Sequence, residues 1–557
     1  MNSSLIFSRP AFKIQCIRLL LSLSLIYTTL CLPFTAQPVQ AFGPIVVTTT
    51  SLADDPSDGA CSLREALQTA FLQQVNGLVT QPYHECVAYA GPTTITFGGA
   101  AAGGMIKITP PDYPLPMINK EVVIIGPVAI SGSGAPAQLP SDKSYDTRLF
   151  WLADGGNLTL TALTLKDGYT SGYGGAIFSQ SSNTTINLTQ VAVVDNQAQG
   201  NGGAIYTTGA LNILQSTFNG NQALGITPEG VDDSGKGYGG AIAIGGSDKL
   251  KVSLTNFSGN VASKGGGAIV NQGSTVLLSD TVFNGNIAKA LGDNQGGGAL
   301  FNGSNSALSM VRTVFNGNLT PKGSGGALYN NISTATIISD TVFNGNISGD
   351  LATKGQGGAI YNEEDMNITR TSFNANIATK DGMGGAILNN KAAVLKVSNT
   401  GFFANVTPEG KGGAIANIDQ PYPVSDDSTV EIRNVTFSNN NAQLGSAVYN
   451  EEAVGIWSTL LDQGAIGSGV LCAGTKPVTD NGHNIQNPGN SCGANMQSTD
   501  PKLDLPKPGA NFPNVLTMSP KDDSPAVDAG DNDVCTTPPV NKEDQTGSER
   551  PVDSNND

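Results

Sequence analysis

The amino-acid sequence predicts an all-β protein: a right-handed, single-stranded parallel β-helix, or solenoid, with a short helical cap at its N-terminal end. A Gly-Gly-Ala block recurs about every 28 residues, and a Phe-x-x-Asn motif alternates with it. Between these motifs lie short β-branched stretches of strand length, such as residues 275–279 and 335–339. Strand and turn repeated at this interval are typical of one coil of a solenoid. The alanines of the block are Ala176, Ala204, Ala241, Ala268, Ala299, Ala327, Ala359, Ala386 and Ala414.

Each repeated residue type has a physical role in such a coil. Paired glycines permit a positive φ and a close approach of two backbone segments at a corner. The Ala that follows fits inside the corner, and the Ile or Leu after it is expected to face the core. A Phe at the same point of each coil predicts a stacked internal ladder, and the Asn three residues later is expected either to adopt the left-handed conformation or to bond to neighbouring turns. The predicted ladder consists of Phe218, Phe257, Phe283, Phe315, Phe343, Phe373, Phe402 and Phe437.

The composition argues against several classes of protein. Charged residues are 13% of the 557-residue chain and its formal net charge is −16, so it lacks the basic surface that nucleic acid or an anionic membrane requires. Hydrophobic residues at 39% are too frequent for a disordered chain. The 69 glycines suit stacked strands joined by turns. The acidity therefore serves mainly solubility.

The first 41 residues predict a secretion signal. Basic residues precede the apolar stretch 19–32, and Val39-Gln40-Ala41 has the small residues of a cleavage site. The residues before Cys31 lack the small side chain that a lipoprotein signal needs at that point. No later segment approaches twenty apolar residues, so no transmembrane segment is expected after the signal is removed.

Cysteine usage agrees with export. Removal of the signal leaves five cysteines, and the spacing predicts two disulfides, Cys61 with Cys86 and Cys472 with Cys492. Cys535 is left without a partner. A zinc site built on these cysteines is the competing interpretation, and the wide spacing and the presence of only two histidines argue against it.

The alternation of Gly-Gly-Ala-Ile with Phe-x-x-Asn resembles the repeat pair of chlamydial polymorphic outer membrane proteins, over roughly residues 172–450. The resemblance implies a parallel β-helix at the cell surface, associated with adhesion. The chain departs from that family's pattern after residue 450, so self-anchoring in the outer membrane is not expected. The expected location is extracellular or at the bacterial outer membrane surface.

Residues 42–123 are expected to form a separate N-terminal cap. Ser62 and Glu65 fit a Ser-x-x-Glu capping box at the start of a helix. Leu63, Ala66 and the apolar residues of the next turns fall on one side of that helix. The run Cys-Ser-Leu-Arg-Glu-Ala at 61–66 resembles the domain named after it, which precedes β-helical repeats in exported bacterial proteins. The helix is expected to cover the open end of the first coil.

The β-helix itself is expected over residues 124–455, beginning before the first Gly-Gly-Ala block. Residues 456–557 lose the repeat and gain Pro, Asp and Lys. Segments such as 524–530 and 544–551 resemble the choice-of-anchor region that follows such helices in related proteins. We therefore expect a C-terminal domain of that type.

The sequence indicates no catalytic residue and no cofactor. Asp528, Asp531 and Asp533 lie in one short loop and are weak candidates for a calcium site, as are the three aspartates of the loop 54–58. His84 and His483 are interpreted as hydrogen-bonding turn residues, and no Ser-His-Asp pattern can be assigned to them.

Two functions remain open at this stage. The first is a secreted or cell-surface scaffold, monomeric and non-catalytic, that binds a glycan or a surface partner in the manner of an adhesin; this rests on the fold and not on a located site. The alternative is a polysaccharide lyase or glycoside hydrolase of the pectin-lyase-like fold. A groove with two or three convergent carboxylates and a Lys or Arg favours the enzyme, whereas uniformly polar faces favour the binding protein.

Overall fold

The computed structural model describes residues 43–76, 83–87, 93–109, 114–134, 146–225, 235–246, 249–290, 296–331, 335–418 and 428–550. The predicted secretion signal therefore lies outside the described residues. The described part is a solenoid of stacked parallel strands with few helices, which confirms the predicted fold class.

Each repeating coil contributes four strands, which we name by their place in the coil. Long strands and the phenylalanine strands that follow them share one 28-stranded sheet. The long strands are Thr185–Thr189, Ala210–Leu214, Lys249–Ser253, Thr275–Ser279, Ala307–Val311, Ala335–Ser339, Met366–Thr369, Val394–Ser398, Thr429–Arg433 and Ala453–Trp457. The phenylalanine strands are Ala192–Val194, Thr217–Asn219, Asn256–Ser258, Val282–Asn284, Val314–Asn316, Val342–Asn344, Ser372–Asn374, Gly401–Phe403, Thr436–Ser438 and Leu460–Asp462.

The other two strands of each coil form separate sheets. The short strand that follows each phenylalanine strand, which we call the bridging strand, belongs to a 10-stranded sheet. The next strand, which follows the Gly-Gly-Ala block in the repeats and which we call the glycine strand, belongs to a 12-stranded sheet. The bridging strands are Tyr169–Thr170, Gln197–Ala198, Gln222–Ala223, Val261–Ala262, Ile287–Ala288, Leu319–Thr320, Ile347–Ser348, Ile377–Ala378, Val406–Lys411 and Asn441–Leu444. The glycine strands are Phe150–Leu152, Ile177–Ser179, Ile205–Thr207, Ile242–Gly245, Ile269–Gln272, Leu300–Asn302, Leu328–Asn330, Ile360–Asn362, Ile387–Asn389, Ile415–Asn417, Val448–Asn450 and Cys472–Gly474.

The parallel ladders extend beyond residues 124 and 455 at both ends. Ile45–Val47 pairs with Thr93–Phe97, which pairs with the strand that begins at Glu121. These coils lack the repeated motifs, and apolar side chains such as Ile95 are buried in them. The remaining strands outside the four sets are Met105–Lys107, Glu121–Ser131 and Asn157–Lys166 at the N-terminal end, and Thr479–Asp480, Ile485–Asn487, Gln497–Ser498, Lys507–Pro508 and Leu516–Thr517 at the C-terminal end.

A helix, α1 (Leu63–Asn76), packs on the first strand of the solenoid. Its capping box is reciprocal: the Glu65 N–H donates to Ser62 Oγ at 3.2 Å, and the Ser62 N–H donates to Glu65 Oε2 at 2.9 Å. Leu63, Ala66 and Leu67 are buried in the same apolar core as the first strand. The predicted disulfide between Cys61 and Cys86 is confirmed and ties the start of α1 to the segment 83–87. A single 3-10 turn, Gly99–Ala101, is the next helical element.

The two glycines of each Gly-Gly-Ala block have different roles. The first has a positive φ in every copy, as at Gly325 with φ of 68°. The second approaches the coil above so closely that a Cβ on Gly326 would overlap the carbonyl oxygen of Gly358. In the last copy Ser446 takes the second position, and the coil beyond it has no Gly-Gly-Ala block. The glycines are therefore required by the stacking of coils.

The eight predicted phenylalanines form one continuous internal stack. Their ring centroids are 4.8–4.9 Å apart and the rings lie within 14° of parallel. This spacing is that of adjacent strands in a sheet, so the in-register pairing of the coils sets the ring separation. All eight rings are completely buried.

The Asn of the Phe-x-x-Asn motif bonds to neighbouring coils, which is the second of the two expected roles. Asn318 Nδ2 donates to Asn346 Oδ1 at 2.9 Å and to the Phe283 carbonyl at 3.0 Å. The left-handed conformation belongs to the residue before it, such as Gly317 with φ of 58°. A second internal ladder follows the glycine strands, and the sequence analysis missed it although Gly-Gly-Ala-x-x-Asn marks it. Its members are Asn271, Asn302, Asn330, Asn362, Asn389, Asn417 and Asn450.

From about residue 500 the chain turns back along the outer side of the phenylalanine strands, and we call residues 500–550 the C-terminal tail. Within it, α2 (Asn532–Thr536) is the second helix of the described chain. The Leu516 N–H donates to Ser372 Oγ at 3.3 Å, and Gln545 Nε2 donates to the Thr371 carbonyl at 2.9 Å. The tail therefore covers the outer surface of later coils of the solenoid, a contact that the sequence analysis did not anticipate.

Candidate binding face

The outer side of three phenylalanine strands presents two parallel rows of side chains, which we call the valine–asparagine face: Val282, Val314 and Val342 in one row and Asn284, Asn316 and Asn344 in the other. Because successive side chains of a strand point to opposite sides, an inward Phe places both of its neighbours outward. In-register pairing then aligns Val with Val and Asn with Asn in adjacent coils.

The asparagines of this face are linked but keep free bonding capacity. Asn316 Nδ2 donates to Asn284 Oδ1 at 3.0 Å, and Asn344 Nδ2 donates to Asn316 Oδ1 at 2.9 Å. Each link uses one N–H and one oxygen lone pair, whereas an amide offers two of each. Asn284 and Asn344 are exposed, so a ligand in solution can reach the remaining donors and acceptors.

One end of the face is bordered by the C-terminal tail. A shallow cavity of about 490 Å³ lies where the two rows meet Pro513, Asn514 and Leu516 of the tail. At this border Val342 is buried, and beyond it the equivalent residues Ser372 and Asn374 are buried as well. The tail therefore divides the outer side of the phenylalanine strands into a covered and an open part.

Charged residues flank the face at the corner before each phenylalanine strand. Arg312 forms two hydrogen bonds with Asp280, of 2.6 and 2.8 Å, and these bonds hold the pKa of Asp280 below its usual value. Two coils further on, Arg370 pairs in the same way with Asp340 and also with Glu543 of the tail at 2.6 Å. The charges beside the face are thus paired within the protein.

A second concave region lies at the C-terminal end of the solenoid. This acidic groove, of about 560 Å³, is lined by three aspartates and two lysines together with neutral residues. The charged members are Asp462, Asp500, Asp523, Lys502 and Lys521.

The aspartates of the acidic groove have partners within the protein. Asp462 accepts hydrogen bonds from Asn487 Nδ2 at 2.9 Å and Ser438 Oγ at 3.3 Å. Lys502 Nζ lies 2.6 Å from Asp523 Oδ2, and this contact lowers the pKa of Asp523. A general acid needs the opposite shift. Asp523 therefore lacks the raised pKa that a general acid of polysaccharide hydrolysis needs.

The outer side of the glycine strands carries a second aromatic row, which is buried. Tyr329 stacks on Tyr361 at a centroid distance of 4.8 Å, and each is less than a tenth exposed. The Tyr361 hydroxyl donates to Glu363 Oε1 at 2.8 Å, and Lys391 pairs with the same carboxylate at 2.6 Å. These aromatic and charged side chains pack against one another and are not open to a ligand in this conformation.

The remaining candidate residues lie outside the valine–asparagine face. The disulfide between Cys472 and Cys492 is confirmed in the coils after the last Gly-Gly-Ala-like block. Cys535 is a free, buried thiol whose sulfur accepts a hydrogen bond from Asn434. His483 Nδ1 lies 2.9 Å from the Ala529 carbonyl oxygen, which links the last coils to the tail.

The weak calcium candidates of the tail do not converge. Asp531 caps α2 by accepting hydrogen bonds from the N–H groups of Asp533 and Val534. In the described part of the chain, only one group of three His, Cys, Asp or Glu side chains has its ligand atoms within 4.8 Å of one another. That group lies in the N-terminal cap and does not include Asp528, Asp531 or Asp533. The calcium prediction for the tail therefore gains no structural support.

Comparison with known proteins supports the repeat. Residues 190–208, 255–272 and 340–363 match the model of the Chlamydia polymorphic membrane protein repeat. Each matched segment contains a Phe-x-x-Asn motif or a Gly-Gly-Ala-Ile block. No curated protein and no solved structure matches the chain. Among the described residues, neither helix has the length and apolar character needed to cross a membrane.

Proposed function

We propose that this chain is a secreted or cell-surface β-helix scaffold that binds a neutral glycan through its valine–asparagine face. The observation that carries the proposal is the pair of in-register rows, one of amide groups and one of valine methyl groups, in which Val282, Asn284 and Asn344 are exposed, Val314 and Asn316 are half-buried, and Val342 is buried. The similarity of three segments to the Chlamydia polymorphic membrane protein repeat agrees with a surface role.

The chemistry of the face favours a sugar over a charged ligand. A glycan presents hydroxyl groups, which pair with amide donors and acceptors, and patches of C–H groups, which pack on valine methyl groups. Two ionic groups at the corner beside the face, Asp280 and Arg312, neutralise each other. The rows repeat at a strand spacing of about 4.8 Å, so the face offers repeated contacts to an extended chain of sugars.

We also propose that the two ends adapt this scaffold to its location. Residues 1–41 direct export, residues 42–123 act as the N-terminal cap of the type that the Cys-Ser-Leu-Arg-Glu-Ala run resembles, and residues 456–557 form a choice-of-anchor-like region. The two disulfides support this proposal because they are stable in an oxidising compartment.

A glycan array probed with the purified protein tests the binding function. We expect binding to one or more neutral glycans, and at least a tenfold loss of affinity in the double variant Val314→Ala/Asn316→Ala. Asn212→Ala is the matched control, because Asn212 forms the same kind of outward amide link, with Asn187 at 2.9 Å, on the neighbouring long strands.

Two results would contradict the glycan proposal. In the first, the face variant and the control bind a glycan equally well. In the second, the protein binds cells whose surface glycans have been oxidised by periodate as strongly as untreated cells, which would indicate a protein partner instead.

The acidic groove keeps a second function open, that of a polysaccharide lyase or hydrolase. It rests on the presence of Asp462, Asp500 and Lys502 around one concavity. Incubation with a panel of polysaccharides distinguishes the two functions. New reducing ends or unsaturated products that disappear in Lys502→Ala would support the enzyme, whereas unchanged polysaccharides would leave binding as the function.

A further inference from the structure

Three side chains of types that bind metal ions, Asp54, Glu65 and His84, come together in the N-terminal cap. They are far from the valine–asparagine face in sequence. His84 Nδ1 lies 2.9 Å from Glu65 Oε1 and 3.1 Å from Asp54 Oδ1. All three ligand atoms lie within 4.8 Å of one another. The sequence predicts a capping role for Glu65 and a turn role for His84, and the structure brings both to one point.

The carboxylates of this cluster outnumber its one imidazole, so the cluster favours binding of a cation. The Glu65 side chain is 1% exposed, and burial of a carboxylate is costly unless positive charge or hydrogen bonds offset it. Glu85, next to His84 in the chain, has a buried Oε2 with no hydrogen-bond partner. Two carboxylates thus contact a single imidazole, and the charge of a third, Glu85, also acts on it.

The partners of the carboxylates already orient them. The second oxygen of Glu65 accepts the Ser62 N–H at 2.9 Å, which leaves Oε1 directed at His84. Asp54 accepts the Tyr83 hydroxyl at 3.2 Å through Oδ2 and presents Oδ1 to His84. Such second contacts fix metal ligands in known sites. The disulfide of Cys86, two residues after His84, further restricts the loop.

We propose that Asp54, Glu65 and His84 bind a divalent transition-metal ion of the Zn²⁺ type. Metal–ligand bonds of about 2.0–2.2 Å place the ligand atoms of a tetrahedral ion about 3.3–3.6 Å apart, so the observed separations of 2.9 and 3.1 Å need to widen by only a few tenths of an ångström. One imidazole nitrogen with two carboxylate oxygens suits Zn²⁺ and its neighbours in the first row, whereas Ca²⁺ and Mg²⁺ select oxygen ligands alone.

A protonated His84 is the competing explanation of the cluster. The hydrogen bond to Glu65 raises the pKa of His84, and the charges of Asp54, Glu65 and Glu85 add to this effect. A proton on Nδ1 and a metal ion at Nδ1 exclude each other, because both use the same lone pair. Direct metal titration separates the two explanations.

Isothermal titration calorimetry of the purified protein with ZnCl₂ tests the proposal, with excess Mg²⁺ present to occupy unspecific acidic sites. We expect one equivalent to bind, and at least a tenfold loss of affinity in His84→Ala. His483→Ala is the matched control because the chain has only two histidines and His483 contacts a backbone carbonyl of the tail. The control is expected to bind Zn²⁺ like the wild type.

Asp54→Asn provides a second test if His84→Ala fails to fold. The Asp54 side chain is 45% exposed, so the isosteric amide is expected to leave the cap folded and to weaken Zn²⁺ binding at least tenfold. Far-UV circular dichroism verifies the fold of each variant, and the visible spectrum of bound Co²⁺ reports nitrogen ligation independently. The proposal is overturned if the wild type takes up no equivalent of Zn²⁺, or if His84→Ala and His483→Ala bind it equally.

Discussion

At the scale of single residues, the two asparagines of a Phe-Asn-Gly-Asn turn have opposite surroundings although they are two positions apart. Asn316 lies on the outer face, whereas Asn318 is completely buried and bonded to two other coils. Both side chains join rows of amides. The inner row also holds main-chain groups, because the Asn318 N–H donates to Asn346 Oδ1 at 3.0 Å.

The inner position is therefore expected to reject a carboxylate. Asn318→Asp removes both Nδ2 donors and places a carboxylate against the oxygens of Phe283 and Asn346. Loss of buried hydrogen bonds together with burial of a charge predicts a fall of about 3 kcal/mol in the free energy of unfolding. Chemical denaturation monitored by circular dichroism measures it.

Asn316→Asp is the control for this prediction. The Asn316 side chain lies on the outer face and is partly exposed to solvent. The same Asn-to-Asp substitution there is therefore expected to lower the free energy of unfolding by less than about 1 kcal/mol. Equal losses in the two variants would mean that burial does not distinguish the two rows.

At the scale of the element, the phenylalanine stack joins the coils into one core. Each ring contacts one ring above and one below, so the core is continuous along the solenoid. A gap in the stack removes two ring contacts at once. The coils themselves cannot close over it, because the main-chain ladders hold the strands at fixed spacing.

Phe315→Ala is expected to lower the free energy of unfolding by about 3–5 kcal/mol, the cost of an unfilled cavity in a rigid core. Calorimetric or denaturant-induced unfolding checks this value. Phe403→Ala serves as the control, because Phe403 is only half-buried and lies one residue after the inward Phe402. If the control lost as much as Phe315→Ala, the stack would not be the source of stability.

At the scale of the whole molecule, the C-terminal tail returns to the solenoid and determines which part of its surface is open. Arg370 and Glu543 are 173 residues apart in sequence and meet at 2.6 Å. The Arg370 guanidinium also lies 5.8 Å from the ring of Phe512 in the tail. One corner residue of the solenoid therefore contacts two parts of the tail.

Arg370→Gln is expected to loosen the tail without opening the coils. Hydrogen–deuterium exchange should then become faster in residues 512–547, while the strands near Phe315 keep their protection. The matched control is Arg312→Gln, because Arg312 pairs with Asp280 at the same corner two coils earlier, and this ion pair does not involve the tail. Similar exchange in both variants would argue against Arg370 as a tail contact.

The sequence by itself determined the coil and its phenylalanine ladder. The positions of Phe315, Asn318 and the Gly-Gly-Ala blocks follow from one repeated local geometry, so a motif that recurs along the chain becomes a row in space. The capping box of Ser62 with Glu65 and the two disulfides were also predicted, because each joins residues that are close in sequence.

Only the tertiary structure decided which surfaces are open and which distant side chains meet. Five of the six residues of the valine–asparagine face stay at least partly exposed because the tail covers later coils. Asp54, Glu65 and His84 converge because the cap folds around its disulfide. Neither arrangement repeats along the chain, so no periodic pattern marks it. Both depend on the path by which non-repetitive segments return to the solenoid, and that path is set by long-range contacts such as Arg370 with Glu543.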